Sequence, residues 1–198
     1  MSAHETLPPA YFNDVYAASP DPWQFATSDY ERAKYQATLA ALPQAHFARV
    51  FEIGCSIGVL TGLLAPRCDE LLAVDVSETA LQTARQHLQG YANVVLQAMV
   101  VPQEFPTGTF DLVLLSEVGY YWSLADLALA AQRIVQSLCL GAFVVLVHWT
   151  PRVHDYPLDG DAVHGHFLGL CGDGLPLRWV SGSRHPSYRI DVFARFFA

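Results

Sequence analysis

The segment Glu52-Ile53-Gly54-Cys55-Ser56-Ile57-Gly58 places two glycines four positions apart, and an acid, Asp75, follows seventeen residues later. Glycines at that spacing let a backbone turn tightly and let a ligand approach where a side chain would collide. A diphosphate fingerprint would need a further glycine at position 56, where serine stands, so the spacing favours a cofactor without a diphosphate. An acid beside such a turn can accept hydrogen bonds from both hydroxyls of an unphosphorylated ribose, and its charge would repel a 2′-phosphate. Asp75 can equally cap a helix starting near Ser77. Glu52, a lone acid in an apolar run, has the same two uses. A second group of reactive side chains follows: Ser116, Glu117, Tyr120 and Tyr121, then His148. A glutamate in an apolar segment needs water, a partner or a ligand. The tyrosines suit either a water-shedding wall or ordinary aromatic packing. His148 suits either a substrate contact or a hydrogen-bonded core histidine.

The surrounding pattern supplies elements that hold these residues. Val50, Phe51 and Ile53 read as a short buried strand, Gly54 to Gly58 as a turn, and Val59 to Pro66 as a helix. Strands are expected over Glu70 to Asp75, Asn93 to Ala98, Phe110 to Ser116 and Ala142 to Trp149. Between them, Ser77 caps a helix to Gln89 and another helix spans about Leu124 to Leu138. Strands alternating with helices imply an α/β, Rossmann-like, doubly wound sheet. Two closing strands, about Leu177 to Ser183 and Tyr188 to Phe196, bring it to about seven, mostly parallel with an antiparallel C-terminal edge. A short helix is expected around Asp161 to Cys171, with Asp161 as its cap rather than a metal ligand. Residues 1 to 27 hold Pro8, Pro9, Pro20 and Pro22 among aromatic residues, a mixture too proline-rich for a helix, and read as an ordered arm. Ser28 or Asp29 then caps a helix to about Leu42. The expectation is one domain over 1–198, with residues 1–44 as an arm and helix covering the cofactor site.

Composition excludes several functions. With 11 Lys and Arg against 19 Asp and Glu, a net charge of −8, and Lys34 as the one lysine, the chain is no duplex nucleic-acid binder and no Schiff-base enzyme. No run reaches the ~18 apolar residues of a membrane span. Met1 to Ala10 has no basic patch before an apolar stretch, so no signal peptide is expected. The four cysteines lack any C-x-x-C pair and read as reduced thiols, which points to the cytoplasm. No metal is expected, and the oligomeric state is left open.

Glu52-x-Gly54-x-x-x-Gly58, then Asp75, then Phe110-Asp111-Leu112-Val113 before a polar strand end resembles the class I S-adenosylmethionine (SAM) dependent methyltransferases. Asp21-Pro22-Trp23, Tyr30-Glu31-Arg32, Phe51 to Cys55, Leu64-Ala65-Pro66 and Ser116-Glu117-Val118-x-Tyr120-Tyr121 are similar to the NodS-like methyltransferases. That resemblance implies SAM as cofactor and a small-molecule acceptor, with the amino-sugar end of a de-N-acetylated chitooligosaccharide as the family's substrate. It implies that Gly54, Cys55, Ser56 and Gly58 underlie the methionine part of SAM, with Glu52 nearby. Asp75 with Val76 would hold the ribose. The usual adenine-binding acid after the third strand is replaced in Ala98-Met99-Val100-Val101, leaving adenine to Met99, Val100 and backbone groups. Trp23, Tyr30 and Ser116 complete the expected cofactor contacts, and Arg32 would meet the methionine carboxylate. Glu117, Tyr120, Tyr121 and His148 are the catalytic candidates, since strands four and five flank the glycine turn. Two rival readings remain: a nicotinamide-dependent oxidoreductase, opposed by Ser56 and by the placing of Lys34 in the N-terminal helix, and a non-catalytic nucleotide-binding protein.

Overall fold

The computed structural model describes residues 5–196; the first four residues of the arm and the last two of the chain lie outside the described residues. The arm is not irregular, because α1 runs from Pro9 to Ala18. Pro8 stands at its N-cap and Pro9 at its first position, where a missing amide costs no helical hydrogen bond. α2 spans Asp29–Ala41, and the Ser28 hydroxyl accepts the Glu31 amide at its start. β1 (Phe47–Ile53), α3 (Val59–Leu64), a 3-10 turn at Ala65–Arg67 and β2 (Cys68–Asp75) follow. α4 (Glu78–His87), β3 (Val94–Ala98), β4 (Phe110–Ser116), α5 (Leu124–Ser137), β5 (Leu138–Trp149), α6 (Gly160–Leu168), β6 (Leu177–Arg184) and β7 (Tyr188–Arg195) complete the order.

The strands form one seven-stranded sheet in the order β3-β2-β1-β4-β5-β7-β6. β1 to β5 pair in parallel, and β7 lies antiparallel between β5 and β6, so the C-terminal pair makes that edge. The chain winds outward through β1, β2 and β3 and then returns to the other side of β1. That reversal between β1 and β4 opens a crevice beyond their carboxyl ends. β4 is buried on both faces, with Leu112 to Leu115 fully excluded from solvent, as its unbroken apolar run requires. Alternate residues divide between two cores: Val113 and Leu115 face α5 and α6, and Leu112 and Leu114 face α2 and α3. β5 starts earlier than the sequence indicates because Leu138 pairs with Phe110 across an irregularity in the ladder.

At α6 the cap is Asp159, whose carboxylate accepts the Ala162 amide at 2.8 Å, not Asp161. Asp161 instead takes both guanidinium nitrogens of Arg184 and one from Arg189, tying α6 to the β6–β7 turn. No described helix is long and apolar enough to cross a membrane.

Candidate active site

A cavity of about 810 Å³ opens at the carboxyl ends of β1, β2 and β4 and is roofed by α1 and α2. That volume accommodates a nucleoside-sized ligand together with a small second molecule. Its floor is the Gly54 to Ile57 turn. Gly54 (φ +81°) donates its amide to Val74 O at 2.8 Å, and a Cβ there would lie 2.1 Å from a Val118 methyl, so only glycine fits. Ser56 also takes a left-handed backbone (φ +51°) and is held by two groups. Its amide donates to Asp75 Oδ2 at 2.9 Å, and its hydroxyl accepts from Tyr16 at 2.5 Å.

Asp75 therefore serves the turn as well as facing the cavity. Its Oδ1 takes the Ser77 amide at 2.9 Å, while the Ser77 hydroxyl itself caps α4. Burial raises the Asp75 pKa against these backbone donors, and each oxygen keeps lone-pair capacity for a ligand hydroxyl. Glu52 is buried more severely. Burial pushes its carboxyl up to about 7, with the nearby Thr61 hydroxyl opposing the rise and Asp75 adding to it, and Oε2 has no hydrogen-bond partner among the described residues. Trp23, Tyr30, Cys55, Val76, Met99, Val100 and Ser116 all line the cavity.

Two expected cofactor contacts are corrected. Gly58 lies outside the cavity lining: its φ of +82° closes the turn and starts α3, and a Cβ would meet Leu88 at 2.8 Å and Ala84 at 3.1 Å on α4. Its smallness serves helix packing, not the ligand. Arg32 points to solvent and pairs with Asp29, since the inward face of α2 carries Glu31, Lys34, Tyr35 and Thr38. Positions i, i+3, i+4 and i+7 share a helix face, and Arg32 is not among them.

At the other end, Glu117 has a left-handed backbone (φ +58°) and a carboxylate held by three donors. Lys34 Nζ donates to Oε1 at 2.7 Å, and the Tyr120 hydroxyl (2.6 Å) and the Trp149 amide (2.9 Å) donate to Oε2. Lys34 also donates to Glu31 Oε1 at 3.0 Å. Burial opposes the Lys34 charge, but Glu117 and Glu31 outweigh it and raise its pKa. Tyr120 and Tyr121 line the cavity with Tyr156, on which Tyr120 stacks at 5.3 Å. Burial and Glu117 hold the Tyr120 phenol well above its ordinary range.

His148 is the third correction. It is fully buried and absent from the cavity lining, because its position on β5 turns it to the α6 side, where its ring meets Gly119 and His164. Lys34, distant in sequence, is in contrast brought to the mouth, which removes the argument that no lysine stands near a tyrosine. Glu31, which stands in a quoted motif without a role, and Lys34, Gln103, Asp126 and Tyr156, which no quoted motif contains, also line the cavity. Polar residues at the helical spacing of 31 and 34 on a cavity-facing stripe are the signal that could have found the first two.

A model of the family described as Nodulation protein S (NodS) matches residues 14–148. Nodulation protein S of Rhizobium tropici is 31% identical over 130 residues, covering 65% of this chain and 55% of that protein. Phosphoethanolamine N-methyltransferase 1 of Arabidopsis thaliana is 27% identical over 120 residues, 59% of this chain and 24% of that one. The chain thus spans between 55% and 60% of the length of the curated nodulation proteins it matches. Among solved structures, a Pseudomonas syringae protein provisionally described as a methyltransferase superposes with TM-score 0.72 at 31% identity, covering 84% of this chain and 99% of that one. The N-methyltransferase NodS from Bradyrhizobium japonicum WM9, in complex with S-adenosyl-L-homocysteine, shares the fold with TM-score 0.83 at 22% identity, over 94% of this chain and 98% of that one.

Proposed function

Because this chain belongs to the NodS family, we propose that it is a SAM-dependent N-methyltransferase acting on an amine of a small, polar, sugar-like molecule. One observation carries the reading: among the described residues the cavity is lined by Glu31, Glu52, Asp75, Glu117 and Asp126 against Lys34 as its cation. Such a lining attracts cations, and both a sulfonium cofactor with its ammonium and an amine acceptor are cationic. When bound, SAM supplies an electrophilic methyl group and leaves as the neutral thioether.

The chain's own residues fit that division. The orphaned Glu52 Oε2 offers a buried acceptor to the cofactor's ammonium, and Asp75 offers its remaining lone pairs to the ribose. Val74, Val76, Met99 and Val101 give adenine an apolar slot, with the Gln103 side chain as a polar neighbour. Glu117 accepts an acceptor's N–H with its remaining lone pair and orients the nitrogen. An acceptor that arrives as an ammonium first gives one proton to solvent, which frees the lone pair that attacks the methyl, and the methylated nitrogen leaves as an ammonium. Tyr120, Tyr121 and Tyr156 shed water from the reacting pair, so positioning supplies most of the rate. The segment up to residue 44 acts as the cover of one domain: Tyr16, Trp23, Tyr30, Glu31 and Lys34 all contribute to the cavity wall, which supports that role.

The acceptor is argued by charge. A phosphate monoester needs a cluster of cations, whereas Lys34 is already committed to two carboxylates. An amino sugar brings an amine and hydroxyls, which suit carboxylates and tyrosines. The test is methyl transfer from SAM to glucosamine, a de-N-acetylated chitooligosaccharide and phosphoethanolamine, followed by mass spectrometry. The expected result is methylation of an amino sugar. Faster methylation of phosphoethanolamine would overturn the acceptor class, and thermal stabilisation by NAD but not by SAM would overturn the reaction class.

A further inference from the structure

Behind the mouth, outside the cavity, three buried polar side chains form a continuous hydrogen-bonded line. The Gly119 amide donates to His148 Nε2 at 3.1 Å, His148 Nδ1 faces His164 Nε2 at 3.1 Å, and His164 Nδ1 faces Asp191 Oδ2 at 2.6 Å. His148 and His164 are both fully buried, and Asp191 is 2% exposed. Asp191 is anchored in turn by Trp179 Nε1 at 2.9 Å and Arg189 Nε at 2.6 Å.

The direction of every proton in this line follows from its ends. A backbone amide can only donate, so His148 Nε2 is a bare acceptor and the ring's hydrogen sits on Nδ1. His164 Nε2 must then be bare to accept that hydrogen, which puts the His164 hydrogen on Nδ1, aimed at the Asp191 carboxylate. An anion at one end and an amide at the other therefore select one tautomer for each ring.

The line ends where the acceptor-binding side chains begin. Gly119 opens the 3-10 turn Gly119–Tyr121, two residues after Glu117 and one before Tyr120. A Cβ at Gly119 would stand 3.1 Å from His148 Nε2 and 2.6 Å from a Val163 methyl, so the glycine is needed for close approach to this ring. The Tyr120 ring also packs edge-on against His148 at 5.5 Å. We propose that His148 is a positioning residue, held in a single tautomer by His164 and Asp191, that seats the Gly119 turn and so fixes Glu117 and Tyr120 toward the acceptor.

This inference rests on the reading of the mouth as an acceptor site, and its experiment separates the two. Long-range nitrogen–proton correlation spectra of the ¹⁵N-labelled full chain should show both rings as the Nδ1–H tautomer, with the Gly119 amide protected from hydrogen exchange. An Nε2–H tautomer at His148, or a freely exchanging Gly119 amide, overturns the proposal whatever the acceptor. With SAM and glucosamine as substrates, His148→Phe should lower kcat at least tenfold while the SAM Kd changes less than threefold. His148→Gln, whose side-chain oxygen can take the Gly119 amide, should recover kcat to within about threefold of the wild type. A folded His148→Phe protein with unchanged kcat overturns the proposal. Should the wild-type protein leave glucosamine unmethylated, the acceptor reading fails while the spectra still decide the role of His148.

Discussion

Replacing Glu52 by glutamine tests how far the cavity floor is built around a charge it does not itself neutralise. The Glu52 carboxyl is raised from 4.5 to about 7, chiefly by burial. At ~1.36 kcal/mol for each tenfold change in proton affinity, ionised Glu52 costs the ligand-free fold about 3 kcal/mol. The sign follows from linkage: between the unfolded and folded pKa values the native state binds more protons, so this group's contribution to stability falls as pH rises from about 4.5 through about 7. At pH 5 the unfolded carboxyl is largely ionised while the folded one is not, which leaves a cost of about 1 kcal/mol; at pH 8 the full cost is present. The stability difference between Glu52→Gln and wild type should therefore move in favour of the variant by about 2 kcal/mol from pH 5 to pH 8. Urea unfolding of both ligand-free proteins at the two pH values measures this, and comparing the differences cancels the amide's own burial cost and every other titrating group. A difference that stays constant within about 0.5 kcal/mol would refute the reasoning, because Glu52 would then have found a partner or water that keeps it ionised.

Three further outcomes follow from the same geometry. Lys34→Met removes the cation shared by Glu31 and Glu117 in a largely buried setting; it should cost about 3–5 kcal/mol at pH 7.5 in denaturant titrations, and part of that loss should return at pH 5.5 as Glu31, whose pKa burial raises, protonates. Gly58→Ala forces a side chain into a left-handed backbone beside Leu88 and should cost about 1–3 kcal/mol by thermal unfolding, with SAM affinity of the folded protein unchanged within about twofold by calorimetry. Asp75→Ala should weaken SAM at least tenfold by calorimetry, since hydrogen bonds to a charged group contribute ~1.5–3 kcal/mol each; unchanged affinity would remove Asp75 from the ribose site.

The strand and helix alternation was legible because its signals are local. A buried parallel strand such as Phe110 to Ser116 has to be apolar on both faces, and Ser28 and Ser77 sit where a helix has free amides to cap. The glycine turn and Asp75 were legible for a similar reason: one βα unit fixes both. Failures at the same scale came from residues with two uses. Pro8 and Pro9 start α1 where their number suggested no helix, and Gly58 makes room for α4 where its motif suggested a ligand.

What the sequence by itself determined was the alternation of strands and helices and the turn that floors the cavity, since each depends on residues within a few positions of one another. Only the tertiary structure decided the partners across it. Lys34 meets Glu117 at a separation of 83 residues, Arg32, two positions earlier and off that stripe, faces water, and His148 closes on His164, and through it on Asp191, rather than on the cavity. No local pattern encodes these pairings, because they depend on how α2 and α6 are rotated and set against the sheet. That rotation follows from burying each helix's apolar stripe, and polar side chains on or beside the stripe must then find partners where the packing leaves them.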